Sequence, residues 1–143
     1  MRPRLFLVLV ALLLAACATP PMADDGTLPR HPLIGTSWLA QAIDGTPVDP
    51  AVQSTVTFQR EDRVIGRGGC NRYFGRLGLS QSTLSISGMG DTKMMCSPTM
   101  IMEQEQRFLE ALQASVAWRR EGETLVLLDL AGRERLRLVR ILS

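Results

Sequence analysis

Cysteine offers the most varied chemistry in this chain, and there are three: Cys17, Cys70 and Cys96. Cys70 lies in the run Gly68-Gly69-Cys70-Asn71-Arg72-Tyr73-Phe74-Gly75. Four uses are open to it: nucleophile, metal ligand, half of a disulfide, or a small buried residue at a turn. A reactive thiolate needs a base or a positive surrounding. Arg72 or Lys93 offers charge, but the only histidine, His31, stands in a proline-rich stretch well upstream. Zinc wants three or four ligands, and two cysteines without a domain histidine fall short. Neither a metal nor a cofactor is therefore expected. Gly66-Arg67-Gly68-Gly69 lacks the lysine and hydroxyl of a phosphate-binding loop and reads as glycines that let a strand bend or bulge. Glu61-Asp62 and Glu103 with Glu105 show no certifiable glycosidase-like spacing. They read as surface charge, except Glu105.

Cys17 belongs to a different problem. Met1 to Cys17 has Arg2 and Arg4 ahead of an apolar run from Leu5 to Leu14, then Ala15 and Ala16, the order of a signal peptide. Leu14-Ala15-Ala16-Cys17 also resembles the lipobox of bacterial lipoproteins. Residues 1–16 are then the leader, and Cys17 is the lipidated first residue and the membrane anchor. Ala18 is not the aspartate that retains many such proteins at the inner membrane, which favours an outer-membrane address facing the periplasm. Removing residues 1–16 takes away two arginines and no acid, leaving basic and acidic residues level. That balance lacks the basic excess of a nucleic-acid binder. Cys70 and Cys96 remain, which suits one disulfide in an oxidising compartment; two buried free thiols are the alternative.

The elements that must position these residues follow from patterning. Residues 17–32 are rich in proline and poor in apolar side chains, so they read as a disordered tether of about 20 Å reach, with His31 solvated inside it. From Leu33 onward, short apolar or alternating runs read as strands: Ser37 to Ile43, Thr55 to Phe58, Arg63 to Gly66, Leu77 to Leu79, Thr83 to Ile86, Val116 to Arg120, Thr124 to Leu130 and Glu134 to Ile141. Asp44-Gly45 reads as a tight turn. One helix interrupts them. Ser97 reads as its cap and Pro98 as its first residue, and Ile101, Phe108, Leu109, Leu112 and Val116 mark its buried stripe. Glu105 falls inside that stripe and needs a partner if it stays charged. The expected fold is α+β: a curved, mostly antiparallel, partly barrel-like sheet around one amphipathic helix. In the last strand Arg135 and Arg137 alternate with leucines. They offer a face for lipid head groups or anionic glycan, or else charge that discourages edge aggregation. Met89, Met94, Met95, Met100 and Met102 read as core filler or as an adaptable apolar surface.

Three segments in order, Gly69-Cys70-Asn71-Arg72-Tyr73-Phe74-Gly75, Met89-Gly90-Asp91-Thr92-Lys93-Met94-Met95-Cys96, and Glu105 with Phe108-Leu109, closely resemble the motifs of the META domain, the family of HslJ-type heat-shock lipoproteins. The resemblance spans roughly Leu33 to Leu142 within a domain taken as residues 33–143. It implies a small α+β envelope domain associated with heat and novobiocin tolerance, with no enzyme activity or cofactor. The sequence carries Lys93 where arginine is usual, Met95 where a small residue is common and Leu77 where an aromatic often stands. The expectation is a non-enzymatic lipoprotein held at the membrane through Cys17 that binds an envelope protein or small ligand, or buffers structurally, under stress. A thiol-active enzyme using Cys70 or Cys96 and a structural accessory of an envelope complex are the rivals. Gly69, Asn71, Tyr73, Gly75, Thr92, Lys93 and Glu105 are expected to be structural, with Asn71, Thr92, Lys93 and Glu105 in one buried network.

Overall fold

The computed structural model describes residues 30–142 apart from Glu61, so the leader, Cys17 and nearly all of the expected tether lie outside the described residues. Its strands are β1 (Thr36–Ile43), β2 (Thr46–Pro47), β3 (Thr55–Arg60), β4 (Arg63–Arg67), β5 (Arg72–Leu79) and β6 (Leu84–Asp91). The helix α1 (Thr99–Ala114) follows, and then β7 (Ala117–Glu121), β8 (Thr124–Leu128) and β9 (Glu134–Ile141). All pairings are antiparallel, and the sheet runs β6-β5-β4-β3-β1-β9-β8-β7 with β2 beside β1. The expected α+β class, a curved antiparallel sheet around one helix, is what is observed.

Alternation explains most strands. In β5 Tyr73, Gly75 and Leu77 point inward while Arg72, Phe74 and Arg76 point out, as the two-residue period of a strand requires. Irregularities at Ala40/Ala42, Phe58/Arg60, Phe74/Arg76 and Leu127/Leu128 break the ladder and bend the sheet. It curls until its end strands meet: Thr83 bridges Ala117, and the Leu84 N–H donates to the Val116 carbonyl. Helix α1 joins β6 to β7 across the remaining seam. Asp44 and Gly45 hold φ of 49° and 76°, the consecutive left-handed pair of a type I′ turn.

Phe108, Ala111 and Leu112 of α1 are fully buried and join Trp38, Phe58, Leu136 and Leu138 in one core. The other two buried helix residues are Gln104 and Glu105. The stripe therefore differs from the expected one. Ile101 and Leu109 are only half-buried, and Val116 lies beyond the helix and is exposed, because the backbone turns extended at Ser115, whose N–H donates to the Leu112 carbonyl. Ser97 does not cap. Pro98 occupies the cap position, without a side-chain cap bond, and its carbonyl accepts from the Ile101 N–H (3.1 Å). Strands β5 and β6 run longer than expected, since Gly75, Gly78, Gly88 and Gly90 blur the apolar alternation that marks a strand. Leu130 falls in a turn and is exposed. There Asp129 accepts the backbone N–H groups of Ala131 and Arg133, and these bonds, with the Arg133 guanidinium, hold its carboxyl below the usual range.

His31 is also a correction to the expected solvated tether. Its Nδ1 accepts from the Leu33 N–H (3.3 Å), so Nε2 donates to the Ser80 carbonyl (3.0 Å), and the ring meets Trp118 edge-on at 5.4 Å. Ordered contacts thus take in the last two residues of the expected tether. Phe108 is the largest helix side chain in the core, so Phe108→Ala is expected to lower stability by about 3–5 kcal/mol in urea melts, whereas Met95→Ala, at an exposed position, should stay within about 0.5 kcal/mol of the parent.

Candidate functional site

Between β4 and β5 the chain makes a turn closed by the Gly68 N–H donating to the Asn71 carbonyl (2.8 Å). The turn is pressed against α1. A Cβ on Gly68 would stand 2.7 Å from Glu105 Cγ, and one on Gly69 would stand 3.0 Å from Val52 Cγ1 and 3.1 Å from the Ile101 carbonyl. The glycines permit a close approach to the helix, a more specific reason than the strand bend expected from sequence.

That approach delivers Asn71 to Glu105. Glu105 Oε2 accepts the Asn71 backbone N–H (2.5 Å), and Oε1 accepts from Asn71 Nδ2 (2.7 Å). Asn71 Nδ2 also donates to the Met94 carbonyl (3.2 Å), while Oδ1 accepts from Thr92 Oγ1 (2.7 Å) and the Met94 N–H (2.8 Å). A side-chain amide has two donors and two lone pairs, and all four are used. This assignment also fixes the amide orientation, since Oδ1 faces two donors. Thr92 Oγ1 accepts in turn from the Arg72 N–H (3.2 Å). Asn71 and Glu105 are both buried, where an unbonded amide or carboxylate is costly. Three of the four expected network members, Asn71, Thr92 and Glu105, therefore come together.

Lys93 does not join them. Its ammonium is largely exposed and pairs with Asp91 at 2.6 Å, because Glu105 already has both oxygens turned to Asn71. Cys70 and Cys96 are joined as a disulfide with Cα atoms 5.9 Å apart. It ties the turn to the segment that enters α1. Tyr73 lies across Gly66, where a Cβ would come within 2.6 Å of its hydroxyl, and donates to the Thr55 carbonyl (2.8 Å). Burial pushes its phenol above the ordinary value. Gly75 leaves space for Met89 and Ile86, which a Cβ would approach to 3.1 and 3.3 Å.

Two polar residues that sequence reasoning passed over extend the network. Gln104 accepts from the Asp49 N–H (2.8 Å) and donates to the Val52 carbonyl (3.0 Å) and Ser54 Oγ (3.3 Å), and Ser54 donates to the Gly68 carbonyl (2.5 Å). A glutamine next to the acid that broke the helix stripe was the available signal. The methionines divide: Met89 packs against the core, while Met94, Met95 and Met100 are exposed near the disulfide. Grooves of about 430 and 200 Å³ lie along α1 beside Asp91. The arginines of β9 are matched by acids. Arg135 meets Asp44 at 2.6 Å, and Arg137 meets Glu134 at 2.7 Å and Glu121 at 3.1 Å; Glu134 and then Glu121 hold Arg137 above its ordinary value, while Arg119 (2.8 Å) and then Arg137 hold Glu121 below its own. Among the described residues no group of three or more His, Cys, Asp or Glu side chains could hold a metal.

The fold agrees with comparison to known proteins. A model of the META domain family matches residues 31–141, and the chain belongs to that family. An NMR structure of a protein from Burkholderia xenovorans superposes with a TM-score of 0.62 at 24% identity, covering 87% of this chain and all of that one. A second NMR structure superposes at 0.58 with 23% identity, covering 73% of this chain and 88% of the other. At that identity they bear on the fold alone. No curated protein matches the chain.

Removing either partner of the central pair strands the other. Asn71→Ala and Glu105→Ala are each expected to cost about 2–3 kcal/mol in urea melts. Glu105→Gln, which offers one acceptor where two donors wait, should fall between them and the parent, and Lys93→Ala should change stability by no more than about 0.5 kcal/mol.

Proposed function

We propose that this chain is a bacterial envelope lipoprotein, anchored through Cys17 at the outer membrane, whose META domain contributes to heat or antibiotic tolerance by binding or structural buffering and not by catalysis. One observation carries the reading: the motif residues with the most chemical potential are spent on one another. Cys70 is bonded to Cys96, and Asn71, Thr92 and Glu105 are hydrogen-bonded to one another and to the neighbouring Met94 and Arg72 backbone. A catalytic group must reach a substrate, whereas these side chains hold the wall of the barrel to its helix. What the fold leaves outside is surface: exposed methionines by the disulfide and grooves beside α1, features suited to contact with a partner or small ligand.

The test combines three readouts in cells lacking the gene and complemented with the wild type or Cys17→Ala. The wild type is expected to show acyl mass on Cys17, to fractionate with the outer membrane and to restore survival at high temperature and in novobiocin. Cys17→Ala should lose membrane retention. Alkylation of the unfolded, unreduced protein should label neither Cys70 nor Cys96. Equal membrane retention of both forms without acyl mass would overturn the anchor, and a reactive thiol in the native protein would favour thiol chemistry instead.

A further inference from the structure

The outer face of β4 and β5 concentrates charge in a way the fold does not need. The register places Arg63 opposite Arg76, Ile65 opposite Phe74 and Arg67 opposite Arg72. Two like-charged cross-strand pairs therefore bracket one apolar pair. Like charges directly opposite each other destabilise a sheet, and among the described residues none of these four arginines has a carboxylate within salt-bridge distance, whereas Arg119, Arg120, Arg133, Arg135 and Arg137 on the β7–β9 side all do. All four are exposed.

Phe74 sits between them, 52% exposed. Its ring lies over Gly90, where a Cβ would come within 2.7 Å; the missing side chain lets the ring lie down on β6. Arg63, Ile65, Arg67, Arg72 and Phe74 share one shallow depression of about 390 Å³. Arg63 and Arg67 are four residues apart along a strand, or about 13 Å, so the face spans more than one phosphate. Arginine's planar fork suits phosphate oxygens, and an aromatic between charges suits the boundary between head groups and acyl chains.

The chain's own path selects the occupant. Arg30, the first described residue, lines a depression with Ile34, Gln59, Arg60 and Asp62 at the β3–β4 hairpin, the end of the sheet that carries Arg63 and Arg76. The chain thus enters the domain beside this face, only 13 residues on from Cys17. We infer that the Arg63–Arg67–Arg72–Arg76 face with Phe74 docks on the anionic phosphate head groups of the bilayer to which the chain is anchored. The inference rests on the lipoprotein reading above.

The test uses the mature protein purified from membranes and reconstituted into phosphatidylcholine vesicles with or without phosphatidylglycerol. Intact mass first reports whether Cys17 is acylated; if it is not, the same fluorescence is read on protein mixed with the vesicles, so that failure of the anchor does not decide the face. Phe74→Trp, read against the parent's Trp38 and Trp118 background, is expected to shift to the blue and resist acrylamide quenching in anionic vesicles only, an effect removed by about 0.5 M salt. Adding Arg67→Gln and Arg72→Gln should lower the docked-to-free ratio roughly thirtyfold, while Arg119→Gln with Arg120→Gln should leave it unchanged. Equal quenching in both vesicle types, or shielding that survives loss of Arg67 and Arg72, would overturn the proposal. Shielding by a soluble polyanion but not by anionic lipid would also overturn it.

Discussion

The structure depends on a carboxylate that has no cationic partner among the described residues. Glu105 is buried in the helix, and its two oxygens are answered by the backbone and side-chain N–H groups of one residue, Asn71. That pair decides where the β4–β5 turn sits, and the turn decides where β5 and β6 begin relative to α1. Polar groups buried this way are costly unless fully bonded, so the arrangement tolerates few alternatives. The glycines follow from it, because any side chain at Gly68 would collide with Glu105 itself. The disulfide follows too, holding the chain before α1 to the same turn.

A strut of this kind changes how the motif residues are read. A glycine-cysteine-asparagine run and a buried glutamate look like catalytic equipment when listed side by side. In place, they form the joint between a curled sheet and the helix that spans its seam. What that joint leaves exposed is the methionines beside the disulfide, the grooves along α1 and the arginine face of β4 and β5.

Much of the fold was legible. The period-two runs located the strands, Asp44-Gly45 located a turn, and a carboxylate inside an apolar helix stripe announced that Glu105 had a buried partner. Asn71 and Thr92 were readable because they share the motif segments that resemble the META domain. Lys93 misled for the same reason: it neighbours Thr92 in sequence, yet it lies past the end of β6 with its ammonium exposed and paired to Asp91. Gln104 and Ser54 were hidden because a polar side chain carries no periodic signal of burial. The arginine face was hidden more deeply, since Arg63, Arg67, Arg72 and Arg76 become neighbours only through the β4–β5 register. The arginines that sequence alternation did bring forward, Arg135 and Arg137, are neutralised by acids distant in sequence, Asp44 and Glu121.

The central claim is that Asn71 and Glu105 act as one unit holding the turn to the helix, and a double-mutant cycle measures that unit directly. Urea melts of the parent, Asn71→Ala, Glu105→Ala and the double variant give the coupling between the two side chains. If they form the strut, the double variant will be little less stable than either single one, with a coupling of about 1–3 kcal/mol. Losses that simply add, with coupling within about 0.3–0.5 kcal/mol of zero, would contradict the account.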